Sequence, residues 1–286
     1  MYKRQFICSL AENSHAQNCL PTNINGSVTS IGCTQTCTNL LFKIPHLKST
    51  ADYTVNNIPY TPNAYVTAGG SEDLTLYNDD EFSSIINLPF TFCFYGATYN
   101  KVVVGSNGVI TFDEANEASC YNSYNITRTI PYDRGNICDI FSTYYPRASI
   151  MGPYSDLDAR IDPLDSIYNA SPPDRKIEWR VEGLAPCRKF VVSYYHVGTF
   201  GDNRCGLVTP NNFQIVIYEF TGLIDVFIGN KTCLSPTNDN GKAILGIQNW
   251  DRTKAVAAPG KNATIWSAVK EGYRFTPNGG TSRFVS

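Results

Sequence analysis

Four aspartates crowd one short stretch, Ala148–Asp165, ASIMGPYSDLDARIDPLD, at positions 156, 158, 162 and 165. Short carboxylates are hard oxygen donors. A D-x-D step at a strand end, Asp156 and Asp158 with Asp162 following, offers ligands that Ca²⁺ takes with backbone carbonyls completing roughly six to eight contacts. The stretch lacks the glycine and the terminal bidentate glutamate of an EF-hand loop. The competing use is turn chemistry, in which an Asp side chain bonds nearby backbone N–H groups. Calcium is thus the one candidate cofactor. A retaining-glycosidase pair would need carboxylates about 5 Å apart beside a sugar cleft, which this spacing does not specify.

Cysteine is the second reactive type. Cys33-Thr-Gln-Thr-Cys37 has a spacing found at zinc sites, but no second close pair and no His-x-x-x-His follows, and His46 stands alone. Disulfides in an oxidising compartment are the favoured use. The candidates are Cys19, Cys33, Cys37, Cys93, Cys120, Cys138, Cys187, Cys205 and Cys233. That set is odd in number, so one thiol is left over or its partner lies elsewhere. Cys120 and Cys138 flank the polar loop 121–137 and could staple it. Cys187 with Cys205 or Cys233 is a second pairing, and connectivity stays open.

Aromatic side chains are the third group. Asp113–Pro146 is a long excursion of Asn, Ser, Tyr and Thr, and long excursions are more often functional than short turns. Tyr121, Tyr124, Tyr132, Tyr144 and Tyr145 could stack on sugar rings, or close one end of the fold as packing. Enzyme signals are missing: there is no G-x-S-x-G elbow, no H-E-x-x-H and no P-loop. His196 lies between Tyr195 and Val197, a sheet position rather than a base. Ser106 belongs to a Ser-Asn-Gly turn. The sequence therefore predicts a chain that is not an enzyme.

The elements that hold these residues are strands. Leu88–Phe112, LPFTFCFYGATYNKVVVGSNGVITF, contains three short β runs, with Gly96 at the first join and Asn107-Gly108 at the second. Asn-Gly predicts a type I′ hairpin, in which both central residues have φ > 0. Phe90, Phe92 and Phe94 alternate with Thr91, Cys93 and Tyr95, so one face packs inward. In Lys176–Gly183, Ile177, Trp179 and Val181 should face in, and Lys176, Glu178 and Arg180 out. Further strands follow at 190–200, 213–219, 223–228, 243–250 and 263–275. The 18 Tyr and 15 Phe suit pleated sheets. The fold class is all-β: an antiparallel, jelly-roll-like β-sandwich with long loops and few short helices.

Composition limits the rest. A net charge of −2 argues against a nucleic-acid groove, and no apolar run reaches the ~18 residues of a membrane span. Lys3 and Arg4 precede a short apolar patch and Ser14-His15-Ala16, so residues 1–17 read as a remnant signal peptide. Residues 18–87 form an N-terminal extension with edge strands, 88–277 the sandwich, and 278–286 a linker to a downstream module.

The order GSNGVITFD, SIMGPYSDLD, FQIVIYEFTG, AILGIQNW, YRFTPNGG resembles the nidogen-like (NIDO) pattern. With LPFTFCFYG, it is most similar to the version in secreted, gliding motility-associated surface proteins of Bacteroidetes, cargo of type IX secretion. The resemblance implies an extracellular, cell-surface module without catalytic residues, acting in adhesion or protein interaction. Its partners would be other surface proteins or glycans and downstream modules of the same polypeptide. The alternatives are a carbohydrate-binding module, Ca-dependent or built on aromatic loops, and an accessory domain of a secreted hydrolase.

Overall fold

The computed structural model describes residues 52–117, 120–135, 138–139, 143–161, 171–201, 208–234 and 241–278. In chain order the strands are β1 (Asp52–Ile58), β2 (Ile86–Phe94), β3 (Ala97–Gly105), β4 (Val109–Thr111), β5 (Ser149–Tyr154), β6 (Leu157–Asp158) and β7 (Lys176–Glu182). They continue with β8 (Lys189–Thr199), β9 (Asn211–Tyr218), β10 (Ile224–Lys231), β11 (Lys242–Gln248), β12 (Ala255–Ile265) and β13 (Ala268–Asn278). Two one-turn 3-10 helices, Leu74–Tyr77 and Glu114–Asn116, are each capped by the preceding aspartate, Asp73 and Asp113.

One sheet runs β1-β13-β10-β9-β8, with β7 and β6 both on the far side of β8; the other runs β12-β11-β5-β4-β3-β2. Every strand pair is antiparallel. The main core lies between the sheets. Phe90, Phe92 and Phe94 point into it as the alternation predicts, with Ile150 and Leu245 from their own sheet and Phe213, Ile215, Ile217 and Phe275 from the other. Each such side chain contributes about 1.5–3 kcal/mol by leaving water. The sandwich expected from the sequence is the one observed.

Neither outer face is left bare. The 113–146 excursion lays Ile126, Ile130 and Tyr145 over Val103, Val109, Met151 and Ile244. On the other sheet, Ile58 and Tyr60 cover Val191, Val216 and Phe227. The neighbouring segment 63–70 covers polar groups instead. Thr67 donates to Glu178 from both its N–H and its hydroxyl, and Arg180 donates to the Ala64 carbonyl at 2.6 Å. Glu178 and Arg180, expected to face solvent, are therefore buried, while Val181 is exposed.

Two further expectations are corrected. The type I′ turn is not at Asn107-Gly108 but at Tyr95-Gly96, where φ is +47° and +86°. The β3–β4 connection is a three-residue loop, Ser106–Gly108, in which only the last residue is left-handed. A Cβ at Gly108 would come within 2.9 Å of the Phe213 ring, so glycine is required there for space as well as for φ. The strand expected over 243–250 stops at Gln248, which leaves Trp250 in a turn.

Candidate functional site

Asn107 organises the site from inside the protein. It is fully buried. Its Nδ2 donates to Asp80 Oδ1 (2.7 Å) and to the Asn122 carbonyl (2.8 Å). Its Oδ1 accepts from Leu157 N and its backbone N–H donates to Asn122 Oδ1, both at 2.9 Å. One side chain thus ties the β3–β4 loop, the 79–82 turn, the 120–124 stretch and the β5–β6 junction. Ser106 is structural too: its Oγ accepts from Glu81 N at 3.0 Å.

This frame brings together carboxylates far apart in sequence. Asp79, Asp80 and Asp156 each offer an oxygen, and the three lie within 4.8 Å of one another. That separation matches ligands sharing one ion at about 2.3–2.6 Å. Asp156 follows β5 and is nearly buried. Asp80 has φ +57°, and its carboxylate also bonds Tyr121.

Asp158, the second member of the sequence pair, is turned to a different task. It is buried, and Arg160 engages it with Nε on Oδ1 at 2.9 Å and Nη2 on Oδ2 at 2.8 Å. The same Nη2 reaches Asp79 Oδ2 at 2.9 Å. Arg160 is the guanidinium that faces Asp79 and Asp158 among the described residues. The other carboxylate oxygen of Asp79, Oδ1, is buried and accepts no hydrogen bond. Burial, then the charges of Asp80 and Asp158, push the Asp79 carboxyl up to about 8 against the pull of Arg160. Burial likewise lifts Asp80 to about 6, opposed by its bonds to Asn107 and Tyr121. Asp162 lies outside the described residues.

The residues fit a hard divalent cation: carboxylate oxygens only, one of them orphaned, and more negative charge than Arg160 offsets. A bound ion would supply no chemistry beyond neutralising this charge and tying the 79–80 turn to the β5–β6 junction. The sequence singled out Asp156 and Asp158, which share one short stretch. It missed Asp79, Asp80, Asn107 and Arg160, since no spacing links the 79–80 pair to the aspartates beyond β5.

The other predicted residues are placed as follows. Cys120 and Cys138 form a disulfide across a separation of 18 residues. Cys187 and Cys233 are disulfide-bonded. Cys93 is half-buried on β2. Cys19, Cys33, Cys37 and Cys205 lie outside the described residues. Tyr144 and Tyr145 are buried, so they offer no ring to a ligand; Tyr145 Oη donates to the Arg128 carbonyl at 2.9 Å. Tyr121, Tyr124 and Tyr132 are half-buried, the first two edge to face at 6.0 Å. His196 sits on a bulge of β8 with φ +53°, its Nδ1 at 2.8 Å from Asp174.

Residues 52–284 match the model of the family described as NIDO related. The chain belongs to this NIDO-related family. The match starts at the first residue of β1 and runs past the end of β13. No curated protein and no solved structure gives a significant match. NIDO-related domains are typically extracellular, and the family is a non-enzymatic module type. No helix among the described residues is long and apolar enough to cross a membrane.

Proposed function

We propose that this NIDO-related chain is a non-catalytic recognition module of a secreted cell-surface protein, acting in adhesion and protein interaction. The observation that carries the reading is the family match over both sheets, on a scaffold whose outer faces are closed by its own segments. Recognition then falls to loops at the sandwich ends, where a rigid scaffold presents them. Beads coated with the full chain should retain surface proteins of the source cell, and failure to retain any would sink the reading. The likeness of LPFTFCFYG, SIMGPYSDLD and YRFTPNGG to gliding motility-associated proteins of Bacteroidetes supports export by type IX secretion. A strain lacking that route should hold the protein inside the cell.

The carboxylate site favours a second reading, in which Ca²⁺ held by Asp79, Asp80 and Asp156 sets the shape of one loop end. The orphaned Asp79 Oδ1 supports it. A ligand that binds only the folded state stabilises it by about 2.7 kcal/mol at a hundredfold excess over Kd. Millimolar CaCl₂ should therefore raise the melting temperature of the full chain. Asp79→Asn and Asp156→Asn should each abolish that rise, and a flat calcium titration of the wild type removes the metal.

A further inference from the structure

Exposed apolar residues scattered singly on a surface are ordinary, but a cluster of them marks a contact face. Among the described residues, four of the nine exposed large apolar side chains gather at one corner, where the chain passes from β12 in one sheet to β13 in the other. They are Val208, Leu234, Ile265 and Val269, and the last two are 55% and 56% open. Printed contacts join them. Ile265 lies opposite Lys242 in the β11–β12 ladder. The preceding Gly241 packs on Leu234, where an added Cβ would come within 3.2 Å of the Leu234 Cβ. Val269 lies opposite Asn230, whose Nδ2 donates to the Thr209 and Pro210 carbonyls beside Val208. The corner is held from inside: Trp266 and Ala268 enter the main core, and the indole N–H donates to the Ala243 carbonyl at 3.0 Å.

The charge around these side chains is of one sign. Residues 208–212, 230–234, 241–242 and 261–271 hold four lysines and a single carboxylate, Glu271. Glu271 is already engaged by Lys261 at 3.3 Å and by the Tyr273 hydroxyl at 2.5 Å. Lys231 is buried against Trp266. Lys242 and Lys270 have no carboxylate within ion-pair reach among the described residues, and Lys270 is exposed. A cover must therefore be apolar and anionic together. A second copy of the chain would set lysine against lysine. Protein interfaces draw on aromatic residues and arginine, with lysine depleted and leucine and valine poor in binding energy. Aliphatic side chains ringed by lysines have the opposite make-up. A bilayer accepts it, since acyl chains take apolar groups without directional demands while lysine stems lie along apolar surface with their heads at the phosphates. Each lysine near an anionic lipid surface strengthens binding about fivefold.

We infer that the β12–β13 corner docks on an anionic lipid bilayer, with Ile265 and Val269 entering the interface and Lys242 and Lys270 facing the headgroups. The surface shares no residue with the aspartate cluster and goes beyond the proposed recognition of proteins. The test floats the full chain, in EDTA and at low salt, with vesicles of equal parts phosphatidylcholine and phosphatidylglycerol or of phosphatidylcholine alone. The mixed vesicles should carry the protein up, and added salt should release it. Ile265→Asp/Val269→Asp should weaken binding at least tenfold. Lys242→Gln/Lys270→Gln should do likewise at an unchanged melting temperature, so that the result does not rest on one variant's folding. Leu184→Asp, an equally exposed site at the β7–β8 turn, should bind as the wild type does. The assignment is overturned by absence of flotation with the mixed vesicles, by equal flotation with phosphatidylcholine alone, or by wild-type binding of either double variant. A loss of binding in Leu184→Asp as large as that in the corner variants would overturn it as well.

Discussion

At one end of β5, Tyr154 leads into Asp156 and a cluster of carboxylates that is largely buried and wired through Asn107. At the other end, roughly 20 Å away along a six-residue strand, Arg147 precedes Ser149 and stands beside the open ring of Trp250. The first end keeps charge inside, where each carboxylate must find a partner. The second keeps an apolar ring outside, and its buried polar atoms serve only to hold the turn. A single strand thus ends in buried charge at one tip and in an exposed ring at the other. One segment touches both, because the 113–146 excursion supplies Asn122 to the first end and the Asp133 and Arg134 carbonyls to the second.

The comparison breaks most visibly at Asn107. Asn107→Ala would leave the Leu157 N–H and the Asn122 carbonyl unpaired in a buried site and strip Asp80 of a donor. At about 1–3 kcal/mol for each orphaned group, the expected loss is about 4 kcal/mol. Urea unfolding should show it as a lower midpoint at constant slope. A loss below about 1 kcal/mol would mean that Asn107 does not wire that end.

The two ends differ in how much of them could be read in advance. Asp156 and Asp158 are conspicuous because two residues of one strand end place both carboxylates together. Asp79 and Asp80 are not, since their contact with Asp156 passes through Asn107, whose pattern reports only a turn. Trp250 was hidden in the apolar run AILGIQNW. The run reads as strand to its end, and only the Asn249 and Arg252 contacts show where it turns outward. Alternation gave the inner face of β2 correctly, because the inter-sheet core decides it. The same rule failed for Glu178 and Arg180, where a segment about 110 residues earlier covers the outer face.

Removing the staple should loosen both ends together. The Cys120–Cys138 bridge closes a loop of 18 residues within the shared excursion. For loops of this size the loss of chain constraint costs about 3 kcal/mol. A Cys120→Ser/Cys138→Ser double variant should unfold earlier by that amount. Hydrogen exchange should quicken at Asn122 and at the Arg252 turn alike. Faster exchange at one end only would show that the excursion does not couple them.

Charge supplies a smaller effect of opposite sign. Lys231 is buried, with Nζ 3.3 Å from the Trp266 carbonyl and 4.9 Å from its ring centre. Burial, then the charge of Lys261, lowers its ammonium from 10.5 to about 8. Because the folded value is the lower one, the unfolded chain holds more protons between about pH 8 and 10.5, and stability from this group rises with pH across that window. Below pH 8 the cost of the buried charge is present in full. Lys231→Met should therefore stabilise the fold at pH 7, on the order of 1 kcal/mol after loss of the ring contact. It should also flatten the rise above pH 8. Destabilisation at pH 7 would show that a partner compensates the charge.

The smallest change is expected at Trp250, and its smallness is what separates the two ends. Its ring is open to water, and the turn is held by Asn249 and Arg252, not by the indole. Trp250→Ala should shift stability by less than about 0.5 kcal/mol, as for other exposed positions away from structural features. A loss above about 1.5 kcal/mol in urea unfolding would mean that the indole supports the turn as packing. In that case the outer tip of β5 would be as structural as the inner one, and the contrast between them would vanish.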